Sequence, residues 1–119
     1  MLVKILKSKL HRARVTETKL HYAGSIAVDP DLTEAVGMRP YEAVWLADVD
    51  NGSRLETYVV PAERGSGDVI VMGAAANLIK AGDIVIIFSF AFLTEEEAKD
   101  FKPKVVALDE NNKIIKQIS

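Results

Sequence analysis

"YEAVWLADVDNGSRLETYVVPAE", residues 41–63, decides the fold class. Two alternating runs flank Asn51-Gly52, a dipeptide suited to the positive φ angles of a tight hairpin turn. On the outgoing run Arg54, Glu56 and Tyr58 share one face and Leu55, Thr57 and Val59 the other, because successive strand side chains point to opposite sides. A hairpin marked this clearly sets the expectation for the rest of the chain. Upstream, "SIAVD" and "ARVT" read as short strands, and "LVKILKSKL" as a longer one with imperfect period-two alternation. "DPDLTEAVGM" predicts a short helix with Asp29 as N-cap, Pro30 in the first turn and Gly37 as the stop. Downstream, "DVIVM" predicts a strand and "GAAANLIKAGD" a short helical turn followed by a glycine turn. "IVIIFSFAF" predicts a continuous apolar strand buried on both faces. Thr94 and Glu97 make a capping box for a short helix. "KVVALD", "ENNK" and "IIKQI" make a last hairpin. No repeat or linker interrupts this order, so one domain over residues 1–119 is expected: mainly β, with short helices, closed into a small barrel.

Composition narrows the function classes. The 119 residues are 49% hydrophobic and 27% charged, with a net charge of −2, which gives no global basic field for nucleic acid or anionic lipid. The absence of cysteine excludes disulfides, thiolate catalysis and cysteine-ligated metals. The N-terminal "MLVKILKSKLHRARV" mixes cationic with apolar residues and lacks the apolar region of a secretory signal. The longest apolar run, residues 84–93, falls short of the roughly 20 residues that span a bilayer. A cytoplasmic protein without nucleic-acid or membrane partners is expected.

Most polar clusters have bland readings. Lys7, Lys9 and His11 share a strand face that reads as solvated and basic, and Arg54, Glu56 and Tyr58 read as a cross-strand surface group. "GAAAN" allows either tight packing or close backbone approach to a ligand. "ERGSGD" lacks the lysine and following helix of a phosphate loop. His11 and His21 have no partners in the sequence that suggest a metal, and none is expected. Gly24-Ser25 in "HYAGSIAVD" is harder to dismiss, since strand-forming residues rather than turn formers flank it.

Taken together, "KSKLHRARVT", "LHYAGSIAVDPDL", "NGSRLETYVV", "ERGSG", "GAAANLIKAGDIVIIF" and "KPKVVALDENNKI" resemble the pyruvoyl-dependent aspartate 1-decarboxylases, in order and spacing over almost the whole chain. The resemblance implies a double-psi β-barrel and a homotetramer with active sites between neighbouring subunits. It implies conversion of L-aspartate to β-alanine and CO2 for pantothenate and coenzyme A. It also implies self-cleavage between Gly24 and Ser25 into a small β chain (1–24) and a larger α chain (25–119), giving four of each in the assembly. The α chain then opens on a covalent pyruvoyl group derived from Ser25, which takes the substrate amine as a Schiff base, with no metal and no pyridoxal phosphate. By the same resemblance Thr57 serves both processing and substrate binding, and Lys9 and Arg54 bind the substrate carboxylates. Tyr58 is the proton donor, and Gly73, Ala74 and Ala75 bring backbone donors to the substrate. Whether a maturation factor takes part stays open. The chain departs from the family at Met72, where asparagine usually precedes "GAAA". Two alternatives follow: a non-catalytic β-barrel binding module, or a pyruvoyl decarboxylase of another amino acid. One band or two on a denaturing gel separates the first of these from an enzyme.

Overall fold

The computed structural model describes residues 1–119. Its strands are β1 (Leu2–Arg14), β2 (Glu17–Lys19), β3 (Ser25–Val28), β4 (Ala43–Asp48), β5 (Arg54–Pro61), β6 (Val69–Met72), β7 (Ile84–Thr94), β8 (Lys104–Leu108) and β9 (Ile114–Gln117). The helices are short: α1 (Pro30–Ala35), a 3-10 helix (Gly73–Asn77) and α2 (Glu95–Asp100). The mainly β class with short helices is therefore present as the sequence implied. Nine strands form one sheet in the order β2-β6-β3-β5-β4-β7-β1-β8-β9. Antiparallel pairing dominates, and β2 with β6, β3 with β5, and β1 with β8 run parallel.

The deciding hairpin forms with Val44 opposite Thr57 and Ala47 opposite Arg54. Its connection is longer than the two-residue turn expected at Asn51-Gly52. Asp48 closes it instead: Oδ1 accepts the N–H groups of Asp50 (2.8 Å) and Asn51 (3.3 Å), and the Asp48 carbonyl accepts that of Gly52 (2.8 Å). A side chain bonding its own backbone two and three residues on competes with the tighter turn. Gly52 still takes the positive φ, +77°.

Helix α1 starts where expected. Asp29 caps it by accepting the Asp31 N–H at 2.9 Å, Pro30 opens it, and Gly37 (φ +74°) follows its end. The buried Asp29 also accepts the N–H groups of Gly65 (3.0 Å) and Gly67 (2.9 Å), so the "ERGSG" loop is tied to the helix start.

Three readings need correction. "ARVT" is not a separate strand: Ala13 and Arg14 end β1, after a register shift at Leu6/Ser8 and a second at Leu10/Ala13, within which Arg12 takes φ +68°. Lys7 is not merely solvated, since Nζ lies 2.9 Å from Glu42 and donates to the Gly37 carbonyl at 2.6 Å. Strand β7 is not buried on both faces. Val85, Ile87 and Ser89 are buried, whereas Ile86, Phe88 and Phe90 are half-buried and Phe92 is 66% exposed. An apolar run tells that both faces avoid water, but not whether the second cover comes from the same chain.

The core is one cluster of 18 residues, centred on Leu10, Ile26, Val28, Leu46, Val59, Val71, Ile79 and Ile87. No helix is long and apolar enough to cross a membrane.

Candidate active site

Strand β3 positions the Gly24-Ser25 pair. It lies between β5 and β6, with Ile26 beside Val59 and Ser25 directly opposite Met72. Ser25 is buried, while Gly24 just outside the strand is exposed. Because Met72 ends β6, the same register delivers the next residues, "GAAAN", to the Gly24 backbone. Gly73 sits at φ +83°, and a Cβ there would lie 2.7 Å from Gly24 Cα, 3.0 Å from Gly24 N and 3.2 Å from the Tyr22 carbonyl oxygen. Only glycine permits that approach at that dihedral. Of the two meanings left open for "GAAAN", tight packing is the one seen at Gly73, whose backbone lies against Gly24.

A cavity of about 340 Å³ opens beside this contact. Gly24, Thr57, Ala74 and Ala75 line it, with Leu55, Met72 and Leu78 as apolar wall and Glu56 at its edge. Ser25 itself is buried next to the lining residue Gly24, and the small side chains of Ala74 and Ala75 suit a small group formed at residue 25. Leu55, Leu78 and Glu56 were not legible as site residues. For Leu55 the signal was present, because it shares a face with Thr57 on β5.

Lys9 and Arg54 lie elsewhere in the single chain. They line a second groove of about 270 Å³ with Phe88 and Phe90. The Arg54 guanidinium carbon stands 5.4 Å from the centre of the Phe88 ring, a cation–π approach that holds the fork beside apolar surface. Tyr58 enters neither cavity. It is 39% exposed, its ring centre 6.3 Å from that of Tyr41. The alternation of β5 explains the separation: Leu55 and Thr57 point one way, Arg54 and Tyr58 the other. Of the expected residues, the chain brings together Gly24, Ser25, Thr57, Gly73, Ala74 and Ala75. It pairs Lys9 with Arg54 and leaves Tyr58 on their face of the sheet.

Near Lys9, His11 keeps a buried Nδ1 without a hydrogen-bond partner. Burial first, then the charges of Lys9 and Arg12, hold its imidazole below the usual histidine range. Both effects disfavour a second cation there. Neither His11 nor His21 joins a group of metal-ligating side chains.

Comparisons with known proteins address the family. The profile described as aspartate decarboxylase matches residues 1–115. The chain is similar to an aspartate 1-decarboxylase of Bacillus licheniformis, 56% identical over 110 residues, which cover 92% of this chain and 87% of that protein. It is also similar to one of Caldicellulosiruptor saccharolyticus, 52% identical over 116 residues, 98% of this chain and 91% of that one. Among solved structures, a rationally designed protein, mkDPBB_sym1, superposes with a TM-score of 0.49 at 17% identity, over 75% of this chain and 99% of its own. With a profile matching nearly its full length and relatives more than 50% identical, the chain belongs to the aspartate decarboxylase family.

Proposed function

We propose that this chain is a cytoplasmic L-aspartate 1-decarboxylase that makes β-alanine and CO2 for pantothenate synthesis, after cutting itself between Gly24 and Ser25. The observation that carries the reading is the Gly24 backbone seated on the bare α-carbon of Gly73, in a cavity that also holds Thr57. Ser25 Oγ attacks the Gly24 carbonyl carbon; the Gly24–Ser25 amide bond breaks and leaves an ester on the serine oxygen and a free amine. The Thr57 hydroxyl donates to the oxyanion that forms on the way. Loss of the Ser25 α-proton then expels the Gly24 carboxylate. Water replaces the nitrogen, which leaves as ammonia, and residue 25 ends as a pyruvoyl group.

That group supplies an electron sink for the electron pair left when the substrate carboxylate departs as CO2. The rest is positioning by side chains. Arg54 offers a planar fork to one carboxylate and Lys9 a second positive charge. The Tyr58 phenol returns a proton to the former α-carbon, and the backbone N–H groups of Gly73, Ala74 and Ala75 hold the substrate. Lys9, Arg54 and Tyr58 face away from the Gly24 cavity, so a second copy must bring them to it. Sites shared between subunits of a homotetramer meet that need.

Intact-mass spectrometry tests the reading. Two pieces, residues 1–24 and an α chain carrying pyruvoyl at position 25, are expected, with release of β-alanine from L-aspartate. Ser25→Ala is expected to stay whole and inactive. A fragment still beginning at residue 25 in that variant sinks the mechanism. Arg54→Ala removes a charge-assisted contact, and a loss in kcat/KM of about 2 kcal/mol or more is expected. Unchanged kinetics with aspartate would remove Arg54 from the site.

A further inference from the structure

Outside the Gly24 cavity, three carboxylates meet where the β4–β5 turn lies against the segment leading into β7. One oxygen from each of Asp48, Asp50 and Asp83 lies within 4.8 Å of the others. Asp48 is only 2% exposed. Its Oδ1 is occupied by the turn N–H groups, while its Oδ2 is buried with no hydrogen-bond partner. Asp50 Oδ2 accepts the Ile84 N–H at 2.8 Å, and Asp83 Oδ2 accepts the Lys80 N–H at 3.1 Å. Backbone therefore fixes both of these carboxylates and leaves Oδ1 of each over. The nearby cations are engaged with carbonyls: Lys80 Nζ with Ala76 at 3.1 Å, and Arg14 Nη1 with Gly82 at 2.8 Å. Neither forms an ion pair with the three acids.

A buried carboxylate oxygen without a donor is costly and calls for a counter-charge or a proton. We propose that Asp48, Asp50 and Asp83 bind one hard divalent cation of the Mg2+ and Ca2+ class, each through one carboxylate oxygen. All-oxygen anionic donors select that class over softer metals. Asp50 is exposed, so one side stays open for entry and for coordinated water. Asn51 Nδ2 donates to the Leu78 carbonyl at 2.7 Å beside this cluster, and Leu78 lines the Gly24 cavity. The ion thus fastens the β4–β5 turn to the segment that continues from the 3-10 helix. It is a structural ion, and the inference does not depend on the decarboxylase reading.

The test uses the purified protein after dialysis against a chelator, titrated with MgCl2 or CaCl2 at constant ionic strength and followed by thermal melting. A saturable rise in Tm with at least one salt by about 10 mM is expected, absent with KCl and lost in Asp50→Asn. That variant keeps an oxygen for the Ile84 N–H, so the turn is retained. Mn2+ electron paramagnetic resonance on the wild-type chain gives a reading independent of any variant's folding. About one Mn2+ bound per chain at millimolar ion, displaced by Mg2+ or Ca2+, is expected of a carboxylate site. No bound Mn2+ overturns the site, and so does an undiminished Tm response in Asp50→Asn; Asp48 and Asp83 then share a proton instead.

Discussion

At Gly73 one missing methyl group decides whether the 3-10 helix and the Gly24 backbone lie together. Gly73→Ala sets a Cβ 2.7 Å from Gly24 Cα at a φ of +83°, and the strain is about 1–3 kcal/mol. A lower Tm and slowed release of the 1–24 fragment are expected on a denaturing-gel time course; cleavage at the wild-type rate would separate this contact from processing. Met72 is the neighbouring case. It stands opposite Ser25 and lines the cavity, where a thioether offers far less hydrogen bonding than an amide. Met72→Asn is expected to speed cleavage, and equal, complete cleavage of both proteins would make the methionine neutral. Gly24-Ser25, "GAAA" and Met72 were all legible as residues. Their contact was not, because it depends on the β3–β6 register, which no local pattern states.

Among the elements, those with local capping chemistry were the most legible. Asp29, Pro30 and Gly37 bound α1, and Thr94 with Glu97 bounds α2, by bonds within a few residues of one another. What the sequence hid is the second use of Asp29. Burial pushes its carboxyl up, but the N–H groups of Gly67, Asp31 and Gly65, with the charge of Lys113, outweigh burial and hold it below the usual carboxylate range. A carboxyl depressed in the folded state stabilises fully above its unfolded pKa, about 3.8, and loses that contribution as pH falls through the lower folded value. The Tm difference between wild type and Asp29→Asn is therefore expected to be steady near neutral pH and to shrink below about pH 4. A difference independent of pH down to 2 would mean that the clamp is steric rather than ionic. The β4–β5 turn was misjudged for a related reason, since Asp48 closes it with side-chain bonds that the Asn51-Gly52 dipeptide does not announce.

For the whole molecule, the outer face of the sheet is the feature that one chain leaves unfinished. Phe88, Phe90 and Phe92 of β7 stand beside Trp45, Leu6 and Lys4, their paired neighbours on β4 and β1. Lys9, Arg54 and Tyr58 lie on this side too, while the open Gly24 cavity is lined by other residues of the chain. Such an apolar surface, rimmed by charge, is what a subunit contact covers. On the tetramer reading, cleavage and decarboxylation therefore make different demands: the first needs one chain, the second a neighbour. Phe92→Glu separates them. The residue is 66% exposed, so its loss leaves the core intact, while a carboxylate there is costly to bury against a second copy. Light scattering after size exclusion is expected to show a shift to smaller species, with β-alanine production falling alongside and the 1–24 fragment still released. If the variant stays tetrameric and fully active, this face is not the contact. If cleavage disappears together with assembly, the Gly24 cavity also needs a neighbour, and the division between the two steps is wrong.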